Sequence, residues 1–271
     1  MTPNSLLGRH PAISLAELEA SASLLTRVDR KYLVPAMALA GLADVLPAGA
    51  AVLEIDGRRT FTYRSVYFDT DRLDSYLGAA RSRQDRFKVR TRTYADSGGC
   101  VLEVKTRGRR GATVKHRLPY AAHDAARITP SGAAFVERVT GRAGLGAHLR
   151  PVLVTSYRRT TVVAGDGSFR LTIDDSLRCE DAAGAALLPG HVIVETKSAG
   201  PATAVDRWLW RHGCRPASVS KFGTGLGALH PQLPSNKWHR LIATYFSVRP
   251  AGTSSALPGA SSAVPLALAA G

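Results

Sequence analysis

An antiparallel β-barrel, closed or nearly so and flanked by helices, is the α+β fold this sequence predicts. Three observations point to it. About eight strand-like segments fall within roughly 170 residues, most joined by short turn-forming runs. No βαβ rhythm with phosphate-loop glycines interrupts them: there is no Gly-Lys dipeptide, hence no Walker A loop, and no HExxH. Each strand-like segment also carries one apolar and one charged face. With 271 residues, 45% of them hydrophobic, the chain can bury the core such a fold needs.

In chain order, SLAELEASASLL (14–25) reads as a helix, because Ser14 caps it and Glu17, three residues on, completes a capping box. TRVDRKYLV (26–34) is the first strand, and Pro35 opens a second helix over 35–46. FTYRSVYFDT (61–70) is aromatic and β-branched, hence the second strand, and DSYLGAARSRQ is a connection. RFKVRTRTY (86–94) alternates with period two and forms the third. DSGG (96–99) turns the chain into CVLEVKTR (100–107), the fourth, and GRRG turns it again into ATVKHRLPY (112–120), the fifth. SGAAFVERVTGR (131–142) is helical. RPVLVTSYRRTTVV (150–163) is a long sixth strand and AGDG (164–167) a turn. SFRLTIDD (168–175) and HVIVETK (191–197) are the seventh and eighth strands. PATAVDRWLWRHG (201–213) is a helix ended by Gly213, in which Trp208 and Trp210 pack, and SNKWHRLIATYF (235–246) is a last helix. From Ala251 to Gly271 no residue is charged and Ala, Ser, Gly and Pro dominate, which predicts a disordered tail. Gly223, Gly225 and Gly227 form GxGxG without the full spacing of a nucleotide loop, so they carry no functional reading.

Lys and Arg number 36 against 21 Asp and Glu, a formal net charge of +15, so the partner classes to consider are nucleic acids, anionic membranes and polyanionic small molecules. Three cysteines without a CxxC pair argue against a zinc site, and with no secretory-type start they suit a reducing cytosol. No apolar tract approaches the roughly 20 residues of a membrane span. A soluble cytoplasmic protein is expected, and richness in Ala, Arg and Gly suggests a bacterial source.

Alternation places the charges. Side chains two apart share one side of a strand. The first strand sets Arg27, Asp29 and Lys31 on one face; the third sets Arg86, Lys88, Arg90 and Arg92; the fourth sets Glu103, Lys105 and Arg107. The fifth sets Lys115 and Arg117, with His116 outward; the sixth Tyr157 and Arg159; the seventh Arg170, Thr172 and Asp174; the eighth Glu195 and Lys197. Opposite faces carry Val, Leu and Ile that helices outside could cover, so the charged faces are expected to line the lumen. An eight-stranded lumen admits side chains or one slender ligand. Desolvating each cation there costs several kcal/mol unless a negative group answers it, and the carboxylates are too few. The lumen then calls for water, anions or a polyanionic ligand; Arg and Lys suit phosphate, and the carboxylates suit Mg²⁺ or Mn²⁺ bridging phosphate oxygens. Nucleic acid is not expected: stacking needs aromatics among the cations, yet Phe87 lies on the far face and only Tyr94 is in register. Arg86, Lys88 and Arg107 also have a plainer reading as solvated charges at the mouth, and Asp29 and Asp174 read as ion-pair partners that straighten Arg or Lys side chains.

In order, RVDRKYLVP, SVYFDT, RFKVRTRTY, LEVKTR, TVKHR, SYRRT, FRLTIDD, IVETK and SVSKF resemble the VTC domain of polyphosphate polymerases, within the triphosphate tunnel metalloenzyme superfamily that includes the CYTH domains. The likeness runs over about residues 26–225. It implies an eight-stranded triphosphate tunnel in which Lys31, Arg90, Arg92, Lys105, Lys115, Arg159, Arg170 and Lys221 bind the nucleotide triphosphate and the growing polyphosphate. Lys88, Arg117, Lys197 and Tyr157 stand as further substrate-binding residues. Glu195 matches the family's metal-binding glutamate, and Glu103 is the second carboxylate. ATP and polyphosphate are the implied partners and Mn²⁺ or Mg²⁺ the implied cofactor. CYTH enzymes open with ExExK; here Arg27, Asp29 and Lys31 fill that site, which argues for the polymerase over the hydrolase branch. Ser218 stands where the family often has a second lysine beside Lys221. No SPX domain or membrane segment, as in the eukaryotic relatives, is read. The organisation expected is an N-terminal helix (1–25), a tunnel domain (26–230), a C-terminal helix (231–250) and the tail (251–271). Polyphosphate synthesis from ATP is the leading activity, with a metal-dependent triphosphatase and a non-catalytic polyphosphate or RNA binder as alternatives.

Overall fold

The computed structural model describes residues 7–21, 28–107 and 113–252. Its strands, in chain order, are β1 (Ala12–Ile13), β2 (Val28–Pro35), β3 (Ala51–Leu53), β4 (Phe61–Asp69), β5 (Phe87–Tyr94), β6 (Cys100–Arg107), β7 (Thr113–Tyr120), β8 (Arg150–Val163), β9 (Phe169–Asp181), β10 (Gly184–Leu187), β11 (His191–Ser198) and β12 (Ser247–Pro250). The eight expected strands are β2, β4 to β9 and β11. The other four are two to four residues long, too short for alternation to betray them. Helices are α1 (Leu15–Ser21), α2 (Leu39–Asp44), α3 (Asp74–Ala80), α4 (Pro130–Thr140), α5 (Ala204–Arg211), α6 (Lys221–Leu229) and α7 (His239–Tyr245). Arg27, the GRRG turn and the tail from residue 253 lie outside the described residues.

Local chemistry starts the helices. Ser14 and Glu17 form the expected box: the Ser14 N–H donates to Glu17 Oε2 at 2.9 Å and the Glu17 N–H to Ser14 Oγ at 3.2 Å. Helix α3 replaces an expected connection. Asp69 accepts from the backbone N–H groups of Thr70, Ser75 and Tyr76 at 2.8–2.9 Å, which anchors the helix's first turn. The signal was a carboxylate five residues upstream, outside the usual capping spacing.

The chain forms two compact units. The first comprises Met1–Thr62, Tyr157–Leu177 and Leu188–Val219; the second comprises Tyr63–Ser156, Arg178–Leu187 and Ser220–Gly271. In the first, β11 lies between β2 and β9, both antiparallel to it, and β3 pairs with β8 and β1. The outer faces of these strands bury Tyr32, Val34, Leu171, Ile173, Val192 and Val194 under α2 and α5, through Leu39, Leu42, Val205, Trp208 and Leu209. Helix α5 is tied down by Asp206, whose carboxylate accepts from the Tyr32 hydroxyl (2.7 Å) on β2 and the Thr196 hydroxyl (2.6 Å) on β11.

In the second unit, β4, β5, β6 and β7 pair antiparallel in that order. Val66, Phe68, Phe87, Val89, Leu102 and Val104 pack on Phe135 and Val136 of α4. Helix α6 is buried along Phe222–Leu229, and this explains the GxGxG that the sequence left without a role. A Cβ on Gly223 would stand 2.3 Å from the Trp238 ring, and one on Gly225 2.7 Å from Cys179. Glycine costs helix propensity, about 1 kcal/mol against Ala, and here close packing overrides it. Gly223→Ala is therefore expected to destabilise by about 1–3 kcal/mol through overpacking, read by denaturant unfolding; a neutral result would mean Trp238 moves aside freely.

The expected α+β architecture stands, a largely antiparallel sheet with flanking helices, but among the described residues the sheet is open rather than closed into a barrel. Along the eight long strands, among the described residues, β2 pairs only with β11 and β7 only with β6, so that order has two free ends; the short β1 and β12 also pair on one side only. Residues 113–117 of β7 are exposed, in keeping with a strand at the sheet's edge.

Candidate functional site

Register decides which charges meet. In the second unit β5, β6 and β7 bring Arg90 level with Glu103 and Glu103 level with Arg117. One step along, Lys88 is level with Lys105 and Lys105 with Lys115. Directly opposed residues of antiparallel strands point to the same face, so one row reads Arg–Glu–Arg and the next Lys–Lys–Lys. With Arg92 these rows hold six cations and one carboxylate. Their face lies opposite the apolar face under α4, and Arg90, Arg92 and Glu103 are buried at 8%, 7% and 1% exposure. Lys115 and Arg117, on β7, are exposed; the expected inward face ends there.

Glu103 is engaged on both oxygens. Arg90 donates to Oε2 through Nε at 2.7 Å and through a second guanidinium nitrogen, and Arg117 Nε donates to Oε1 at 3.0 Å. Arg90 also donates to the Tyr67 hydroxyl at 2.9 Å. Burial alone would raise the Glu103 pKa; Arg90, Arg92 and Lys105 outweigh it and hold this carboxyl well below the usual range. Arg90 and then burial press the Lys105 ammonium well below the usual lysine range, although Glu103 pulls the other way. Lys88 Nζ donates to Ser220 Oγ at 3.1 Å and lies 5.4 Å from the Phe222 ring centre; Arg92 lies 5.2 Å above Tyr63. Lys221 is the first residue of α6, next to Ser220, which caps that helix by accepting from Gly223 N–H at 3.2 Å.

The first unit holds a more balanced cluster. Lys31 is level with Glu195, and Glu195 with Thr172; Asp29 is level with Lys197, and Lys197 with Arg170. Lys197 Nζ donates to Glu195 and, at 3.2 Å, to Asp29 Oδ2. Arg159 forks onto Asp174 at 2.6 and 2.8 Å and lies 5.4 Å over the buried Tyr157 ring. Asp29 and Asp174 thus meet Lys and Arg as expected of ion-pair partners. Burial would raise Glu195; Lys31, Lys197 and Arg159 outweigh it and hold it at about 2.

Among the described residues no group of three or more His, Cys, Asp or Glu gathers to hold a metal unaided. The donor set fits a divalent ion that takes most of its ligands from phosphate and water. Glu195 is ionised, and beside it Thr172 Oγ1 is buried without a hydrogen-bond partner among the described residues. Glu103, with both oxygens held by arginines, fits a bracing role better than a ligand's.

The arrangement gathers Lys88, Arg90, Arg92, Glu103, Lys105, Lys115 and Arg117 in one unit, and Lys31, Tyr157, Arg159, Arg170, Glu195 and Lys197 in the other. Sequence reasoning missed Tyr67 and Ser220. Tyr67 could have been found, since it alternates with Ser65 on β4; Ser220 needed the α6 start. His116 is exposed and Trp208 packs in the core, as expected.

A family model described as the VTC domain matches residues 26–230. A search of the curated proteins gave no match. Among solved structures the chain is similar to a Hippeastrum protein named as an adenylyl cyclase with a dominant triphosphatase activity, at 18% identity, 73% of this chain, 94% of that chain and a TM-score of 0.46. It is also similar to a Vibrio parahaemolyticus protein named as an adenylate cyclase (15% identity, 69% and 83%, TM-score 0.38) and to a Pyrococcus horikoshii protein (14%, 69% and 88%, TM-score 0.35). No helix among the described residues is long and apolar enough to cross a membrane.

Proposed function

The chain belongs to the VTC-domain family, and from that premise we propose that it transfers the γ-phosphate of ATP onto a polyphosphate chain. Family membership supports an enzyme acting on triphosphates; polymerisation is the finer part of the proposal. The observation that carries it is the level row of Lys88, Lys105 and Lys115 beside Arg90, Glu103 and Arg117. Like charges directly opposed across strands are destabilising. Six cations around one carboxylate are a poor way to hold a fold together and a good way to hold a phosphate chain.

Phosphoryl transfer needs positioning and charge stabilisation more than covalent chemistry. Arg90, Arg92, Lys105, Lys31, Arg159 and Arg170 are assigned to phosphate oxygens, with Lys88, Lys115, Arg117, Lys197, Tyr157 and Lys221 as further contacts. Glu103 and Asp174 hold Arg90 and Arg159 straight, so the guanidiniums need no reordering when charge spreads over the transferring group. Glu195, with Thr172 beside it, would hold Mg²⁺ or Mn²⁺, which supplies charge withdrawal from phosphate oxygens. An oxygen of the chain's terminal phosphate attacks the γ-phosphorus, the bond to the β–γ bridging oxygen breaks, and ADP leaves. The attacking phosphate is already ionised, so no general base is required.

Incubation of the purified protein with ATP and Mn²⁺, followed by gel detection of polymer, tests this directly. A polyphosphate ladder with ADP is expected. Orthophosphate without polymer would make the protein a triphosphatase, and no turnover with retained polyphosphate affinity would make it a binder.

A further inference from the structure

The charged face of the second unit does not end at its lysine row. Phe87 pairs with Thr106, so one residue further Arg86 stands level with Arg107, on the same face as Lys88 and Lys105. Rows on one face are two residues, about 7 Å, apart. Three rows, from Arg90 to Arg86, therefore span about 14 Å, longer than three phosphoryl groups in line need.

A third cation joins this outer row from a different part of the chain. Lys237 precedes Trp238, which is buried against Tyr76, and Lys237 Nζ donates to Ser82 Oγ at 3.3 Å while lying 6.0 Å from the Trp238 ring centre. The burial of Trp238 thus sets where this lysine can reach. Burial, then Arg86 and Arg107, lowers the pKa of Lys237; burial, then Arg107, lowers that of Arg86. The three groups feel one another's charge. Arg86 donates to the Arg83 carbonyl at 2.8 Å, but no carboxylate among the described residues pairs with any of the three. Arg107 Nε is buried with no hydrogen-bond partner among the described residues. A merely solvated rim would leave that N–H in water, whereas a phosphate oxygen would satisfy it.

We propose that Arg86, Arg107 and Lys237 form an additional phosphate subsite that takes phosphoryl groups of a chain beyond its third. This rests on the proposed function and adds a length preference to it: the face is built for polyphosphate rather than for a triphosphate alone.

The full chain and its Lys237→Ala and Arg107→Gln variants would be titrated calorimetrically with orthophosphate, tripolyphosphate and long-chain polyphosphate. Each variant should weaken long-chain binding about tenfold, the cost of one lost charge-assisted contact, while tripolyphosphate affinity changes less than about twofold. Without phosphate, Lys237→Ala should melt no lower than wild type, since it relieves repulsion. Equal weakening for both chain lengths, or none for either, overturns the subsite. So does orthophosphate binding that is lost with Lys237, which would mark a site for single phosphates. Wild-type protein that binds no phosphate chain of any length would overturn the proposed function, and this subsite with it.

Discussion

Glu195→Gln is expected to remove turnover, by a hundredfold or more (about 3 kcal/mol of barrier), while leaving polyphosphate affinity within a fewfold of wild type. The carboxylate is ionised because Lys31, Lys197 and Arg159 surround it, and it is the acidic group placed beside the Thr172 hydroxyl, which has no partner among the described residues. Glutamine keeps the shape and one acceptor but loses the charge that a divalent ion requires. It also removes one negative charge from among the cations, so phosphate binding should hold or tighten. Turnover with ATP and Mn²⁺, measured alongside polyphosphate binding, separates the two effects. Undiminished turnover would show that Glu195 serves only Lys31 and Lys197. The pH dependence has a fixed sign. The Glu195 pKa is depressed from 4.5 to about 2, so its contribution to stability is complete above about 4.5 and is lost as the pH falls toward 2. The glutamine variant should lack that part of the acid limb.

Glu103→Gln should instead act on stability. The carboxylate is 1% exposed and is the counter-ion to Arg90, Arg92 and Lys105, with Arg117 on its second oxygen. Removing one partner of a buried ionic group leaves uncompensated charge, a loss of about 3–5 kcal/mol. For a chain of this size that corresponds to a fall of about 10 °C in melting temperature. Tripolyphosphate should restore more of the melting temperature in the variant than in wild type, because the anion replaces the missing charge. Calorimetric melts with and without tripolyphosphate decide it. An unchanged melting temperature would mean that the cations around Glu103 are well solvated without it. Glu103, too, has a depressed pKa, so the stability it contributes is present above about 4.5 and fades as the pH is lowered.

These two glutamates show how far the sequence could be read. Period-two alternation assigned Glu103 and Glu195 to their faces, and the apolar residues between them were rightly read as covered by helices. Alternation could not tell the two carboxylates apart. Glu103 sits level with arginines on both sides, whereas Glu195 sits level with a lysine and a threonine. That difference gives Glu103 an arginine on each oxygen, and under the proposed function it assigns the metal to Glu195. Helix α6 was illegible for another reason: three glycines among nine residues argue against a helix, and only packing against Trp238, Cys179 and Tyr76 makes them necessary.

The amino-acid order alone set the positions of the eight long strands, their two-faced character, the cap at Ser14, and the excess of cations over carboxylates. Those are local or compositional properties, written in the period of the backbone and the types of its side chains. Tertiary structure alone decided which cation stands opposite which, that β7 has one partner among the described residues, and how Lys237 comes near Arg86 and Arg107. Strand register and long-range packing depend on contacts between residues far apart in the chain, and no spacing within a single segment encodes them.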